Sequence, residues 1–191
     1  MKTTTKKLMM MLFGAMTLAA LAPVATAQDA ESFGEVVENL EHRDGFIPLW
    51  VDPADGRILA ELSIGEDDEL ARMIYTASLT SGLGSNPVGL DRGLGSSSEI
   101  LRFFRVNDQV FAEFENLGYR ADGAGPDEAA ATRNSFARSI IWSTPIVAED
   151  EGRLLIDLSD FLTRDPVGTV NQLSNSGQGS FSIASDRSAA I

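Results

Sequence analysis

Residues 79–97 read LTSGLGSNPVGLDRGLGSS, with five glycines, a proline and an adjacent Asp91–Arg92 pair after a strand-like run. Glycine at the exit of a strand marks a backbone that must approach something closely, and phosphate is the first chemistry to test. The templates fail. A P-loop closes on Gly-Lys-Ser/Thr, yet no lysine occurs after Lys7. The dinucleotide fingerprint GxGxxG starts at Gly82–Gly84 but meets Pro87, and starts again at Gly93–Gly95 but meets Ser98. Asn86, Asp91 and Arg92 remain, as polar groups on a loop long enough to reach a neighbouring domain. Arg92 would pair with a carboxylate there. The plainer alternative is that Asp91 and Arg92 pair with each other while Asn86-Pro87 shapes a turn.

Other reactive constellations are missing. No GxSxG occurs, and serine activation usually needs a histidine base. The single histidine, His42, lies in Glu41-His42-Arg43-Asp44 and reads as a surface imidazole. HExxH is absent, and so is cysteine, which excludes disulfides and thiolate zinc sites. GEDDE (65–69) and DPADGR (52–57) lack the ligand spacing of an EF-hand and read as solvated acidic loops. No metal ligand set and no cofactor are expected in this chain. Trp50, Phe103, Phe104, Phe111, Phe114 and Trp142 lie in strand-like runs and read as core, with Arg102 and Arg105 snorkelling from it.

The chain's address is written at its start. Lys2, Lys6 and Lys7 precede an apolar run from Leu8 to Ala22 and an Ala25-Thr26-Ala27 cleavage signal. That is a secretory signal peptide over residues 1–27, too short for a stable membrane anchor. Cleavage after Ala27 makes the protein periplasmic or secreted, with no membrane anchor left. All three lysines leave with the signal, so twelve arginines face 28 acids, a net −16. Such a surface repels nucleic acid and anionic lipid. With no cysteine, the hydrophobic core alone must hold the exported fold.

The elements that would position any site are mostly strands. Residues 28–44 form an acidic lead-in, and residues 45–191 a β-rich module. FIPLWV and RILAELSI flank a Pro/Asp/Gly turn and predict a hairpin. RMIYTASL alternates with Met73 and Tyr75 on one face. EILRFFRV and QVFAEFEN form a second hairpin around Asn107-Asp108, and SIIWSTPIVA with RLLIDL a third pair around EDEG. Pro126 opens a helix. Short helical turns are expected at Ser159–Leu162 and from Asp165-Pro166 to about Leu173. GQGSFSIA predicts a last strand. The fold class is mainly β with short helices, antiparallel hairpins forming a sheet or sandwich. Its C-terminal strand awaits a partner, so the expectation is a module cut off before a further domain.

The stretch Thr76 to Gly93, continued by Leu101-Arg102-Phe103-Phe104-Arg105-Val106, resembles the N-terminal part of a family of bacterial secreted zinc-dependent metalloproteases. GFIPLWVDPADGRIL, SFARSIIWSTPIVAED, DLSDFLTRD and SGQGSFSI with Asp186-Arg187-Ser188 are similar to that family's other elements, in the same order. The resemblance spans nearly all of residues 45–191 and is most specific at the glycine-Asp-Arg stretch. It implies a non-catalytic N-terminal module, with zinc and HExxH in a downstream catalytic domain of the same polypeptide. The expected partners are that domain and a peptide substrate. The alternative is a stand-alone periplasmic or secreted binding module for peptide or glycan.

Overall fold

A computed structural model describes residues 32–65, 68–84, 88–119, 121, 123, 125–136 and 138–190. The expected signal peptide and its cleavage point fall outside these residues. Eight strands form one curled, half-barrel sheet: β1 (Glu41–Arg43), β2 (Leu49–Val51), β3 (Ile58–Ser63), β4 (Glu69–Tyr75), β5 (Glu99–Val106), β6 (Gln109–Phe114), β7 (Ser139–Asp150) and β8 (Arg153–Asp157). Their order is β1-β2-β3-β8-β7-β6-β5-β4, and every neighbouring pair is antiparallel. The mainly β class and the hairpins hold. Of the two arrangements expected, the chain adopts the single sheet.

Turn chemistry sets the hairpins. Asp52 closes the β2–β3 turn: its Oδ1 accepts from the Ala54 amide at 2.8 Å and its carbonyl from the Gly56 amide at 2.9 Å. Asn107 takes φ 55° between β5 and β6, and Glu151-Gly152 take φ 47° and 80° between β7 and β8, the left-handed pair that matches strand twist. The long strand β7 joins the two halves of the sheet. Residues 139–145 pair with β6 and residues 146–150 with β8. Pro145, which has no amide to donate, sits where the partner changes. Register shifts at Ile146/Ala148 and Ala112/Glu113 bend the sheet there.

Strict alternation gives the sheet two covered faces. The inner face carries Ala60, Leu62, Leu101, Phe103, Leu154 and Ile156, closed by Phe161 of α3 (Ser159–Leu162). The outer face carries Leu59 and Leu155 under Phe33 of α1 (Phe33–Val37). The acidic lead-in therefore supplies a helix and an edge strand to the same body. A Ser32–Glu35 capping box starts α1, and Arg153 lies over the Phe33 ring, 4.6 Å from its centroid. Two further helices are α2 (Pro126–Ser135) and α4 (Thr169–Asn175).

Asp157 fixes α3 against the sheet. It accepts from Arg57 Nε at 2.7 Å and from the Ser159 amide at 2.9 Å, while Ser159 Oγ accepts from the Ile58 amide at 3.0 Å. Burial opposes ionisation of this carboxyl, but the hydrogen bonds from Arg57 and Ser159 outweigh it and hold its pKa below the ordinary aspartate value. The folded state thus favours the carboxylate. Its stabilisation is present in full above the unfolded pKa of about 4 and fades as pH falls through the lower folded value. Asp157→Asn should cost about 1–2 kcal/mol near pH 7, since charged hydrogen bonds are lost but a third of the side chain is wet. Urea midpoints of both proteins between about pH 6 and 2.5 check this: the gap narrows on acidification, and a gap independent of pH counts against the role.

The expected last strand does not form. Residues 178–184 are irregular, and a 3-10 turn follows at Ser185–Arg187. Phe181 and Ile183 are exposed. Alternation supplies one apolar face, but a strand exists only where a neighbour takes its backbone hydrogen bonds.

Candidate functional site

The polar row that lines one open groove comes from sheet register. Across three adjacent strands the outer face places Arg72 opposite Arg102, and Arg102 opposite Glu113. Glu113 is nearly buried. Its Oε2 accepts from Arg138 Nε at 2.6 Å, the arginine arriving from the residue before β7. Its Oε1 lies 3.0 Å from Arg102 Nε. That carboxylate is near enough for attraction but off the N–H direction, so the buried Nε lacks a hydrogen-bond acceptor. At the far end Arg72 Nη2 donates to Glu115. That hydrogen bond, with the Glu115 charge, raises the Arg72 pKa above its ordinary value.

Aromatic rings floor and wall the same region. Phe104 and Phe111 stack at 5.6 Å on the outer face. The guanidinium of Arg138 lies 4.1 Å from the Phe104 ring centroid and that of Arg102 lies 5.0 Å from it. Tyr119 and Phe136 stack at 3.9 Å and remain exposed. Tyr119 and Phe136, the arginine–glutamate row and residues of α2 bound an open groove of about 770 Å³, a size that holds a short peptide or a small molecule.

A second cavity of about 290 Å³ lies where the glycine-rich loop meets the segment after α3, lined by Tyr75, Ser96, Glu99 and Arg164 among others. Arg164 lies over Phe161, 4.0 Å from the ring centroid, and donates from Nε to the Phe161 carbonyl at 3.0 Å. Burial lowers its pKa, partly countered by Tyr75.

The residues singled out from sequence lie elsewhere. Asn86 falls outside the described residues. Asp91 and Arg92 are exposed on the glycine-rich loop, and among the described residues no ion pair joins them. The loop doubles back on itself: Leu79 and Leu94 exchange a backbone hydrogen bond, as do Gly84 and Leu90 in both directions. Val88 and Leu90 are buried, and Gln172 of α4 donates to the Val88 carbonyl at 2.7 Å. A Cβ on Gly82 would stand 2.1 Å from the Leu90 carbonyl oxygen, so the glycine serves close contact between the loop's own two limbs.

His42 lies on edge strand β1, with Nδ1 3.7 Å from Asp44 and its ring 4.4 Å from Trp50. In GEDDE, residues 66–67 are outside the described residues, while Glu69 stands 3.9 Å from Arg102. No group of three or more metal-ligating side chains occurs among the described residues. Reading Phe103 and Phe104 as core is correct: both are buried, and Phe104, on the opposite face, also supports guanidinium groups. One signal did point to the charged row: Arg102 and Glu113 each stand five residues from the nearer residue of the Asn107-Asp108 turn, so the hairpin must pair them. Comparison with protein-family models, curated proteins and solved structures finds no match to this chain.

Proposed function

We propose that the chain is a non-catalytic N-terminal module of an exported zinc-dependent metalloprotease, supporting a downstream peptidase domain and holding peptide in the outer-face groove. The ordered likeness over residues 45–191 suggests the lineage. The observation that carries a binding role is the groove itself: it joins an exposed aromatic stack to half-exposed guanidinium groups, one for apolar side chains and the other for polar recognition. Both carboxylates on its lining, Glu113 and Glu115, are already engaged by arginines, which favours recognition over acid–base chemistry. Asp91 and Arg92, exposed on the glycine-rich loop, are the residues we assign to contact with the catalytic domain. The same groove would also serve a stand-alone peptide- or glycan-binding module.

Two measurements test this. Sequencing past the Ile191 codon should reveal HExxH in the same frame, and an immediate stop codon would leave only the stand-alone binder. The purified chain offered unfolded casein should show no chelator-sensitive proteolysis and no stoichiometric zinc by elemental analysis. Tight one-to-one zinc together with proteolysis through every purification step would overturn the non-catalytic role.

A further inference from the structure

We infer that the groove selects peptides carrying a carboxylate, bound by the half-exposed guanidinium groups of Arg72 and Arg138 beside the Tyr119–Phe136 stack. This rests on the peptide-binding reading above and narrows it to one ligand chemistry.

The charge balance is the first ground. Among the described residues, the charged side chains lining the groove are Arg72, Arg102 and Arg138 against Glu113 and Glu115. Glu69 also stands 3.9 Å from Arg102, so three arginines meet three carboxylates and the groove is close to neutral, on a chain whose formal net charge is −13. The remaining acids of the surface add little to this local balance, because exposed charges more than about 8 Å apart are largely screened at physiological salt.

Donor capacity is the second ground. Each guanidinium has five N–H groups in a planar fork matched to a carboxylate. Among the described residues, Arg72 commits one hydrogen bond, to Glu115, and Arg138 one, to Glu113. Both side chains are half exposed, so their remaining donors face solvent and a ligand oxygen can take them without unmaking the internal pairs. Glu113 and Glu115 hold the two arginines from below. Phe104 beneath Arg138 limits its rotation further. Such preorganisation lowers the ordering cost of binding. Lysine, a flexible point charge, would lack this bidentate geometry.

The test uses three acetylated, fluorescently labelled hexapeptides that share two aromatic residues and have no other charge. The first has an internal glutamate and an amidated end, the second glutamine and an amidated end, the third glutamine and a free C-terminal carboxylate. Fluorescence polarisation with the full chain should show the first or third binding about tenfold tighter than the second at low salt. The one that does so identifies whether a side-chain or a terminal carboxylate is read. The advantage should vanish at 1 M salt and in Arg138→Gln. If Arg138→Gln does not fold, Arg72→Gln at the other end of the groove serves instead. Equal affinity for all three peptides overturns the carboxylate preference and leaves peptide binding standing. No binding by any peptide at millimolar concentration overturns both. An undiminished preference in both variants places the carboxylate outside this groove.

Discussion

Phe161→Ala should lower the unfolding temperature by roughly 10 °C. The ring is buried and is the meeting point of the inner face: Tyr75, Phe103 and Trp142 lie 6.1, 5.7 and 5.2 Å from it, centroid to centroid. Truncating a buried phenylalanine costs about 3–5 kcal/mol when its surroundings cannot collapse. Here they cannot, because the contributing rings stand on three strands fixed by backbone pairing. Arg164 also loses the ring over which it lies. Total stability of a domain this size is about 5–15 kcal/mol, and no disulfide backs it up. Thermal and urea melts followed by circular dichroism measure the change, with Phe181→Ala as the exposed control, expected within about 0.5 kcal/mol of wild type. Equal, small shifts for the two variants would mean that α3 is not part of the cooperative core.

Much of the frame behind this expectation was legible in the sequence. Leu154, Ile156 and Leu158 alternate with Arg153, Leu155 and Asp157, and the sheet does separate them by face. Asn107-Asp108 and Glu151-Gly152 are turn chemistry that fixes φ locally, and local signals of that kind survive folding. The sheet order was not legible. Strand β3 pairs with β8, Leu59 against Asp157, and nothing within either segment names so distant a partner. The change of partner along β7 is equally hidden, because a twelve-residue strand looks the same whether it serves one neighbour or two in succession.

The site shows the same division. The hairpin's symmetry pairs Arg102 with Glu113, but Arg72 and Arg138 enter only once β4 and the start of β7 are laid beside that hairpin. The glycine-rich loop drew attention through its composition. Its glycines answer to the backbone: Gly82 to the close approach of Leu90, Gly84 and Gly93 to φ values of 94° and 85°. Asp91 and Arg92 stay exposed at its surface, and the Asp91 carbonyl accepts from the Leu94 amide at 3.1 Å within the loop.

Glu113→Ala is the second change expected to act strongly, at about 2–3 kcal/mol, and its cost has a distinct origin. Little apolar packing is lost. The substitution instead strands Arg138 and leaves Arg102 with only the longer Glu69 contact at 3.9 Å. Breaking a buried ion pair by removing one partner costs about 3–5 kcal/mol. Arg138 is half exposed and recovers hydration, which trims that figure, whereas Arg102 is mostly covered and its Nε already lacks an acceptor in line. The corresponding fall in unfolding temperature is roughly 4–12 °C. A double-mutant cycle separates this account from simple loss of packing. If the stranded cation is the cause, Glu113→Leu combined with Arg102→Leu should recover most of the stability lost in Glu113→Leu alone, since apolar pairs often replace buried ion pairs at little cost. Additive losses in the double variant would assign the cost to packing and remove the electrostatic account of the row. The same cycle bears on function, because Arg138 holds its presented geometry only while Glu113 is there to receive it.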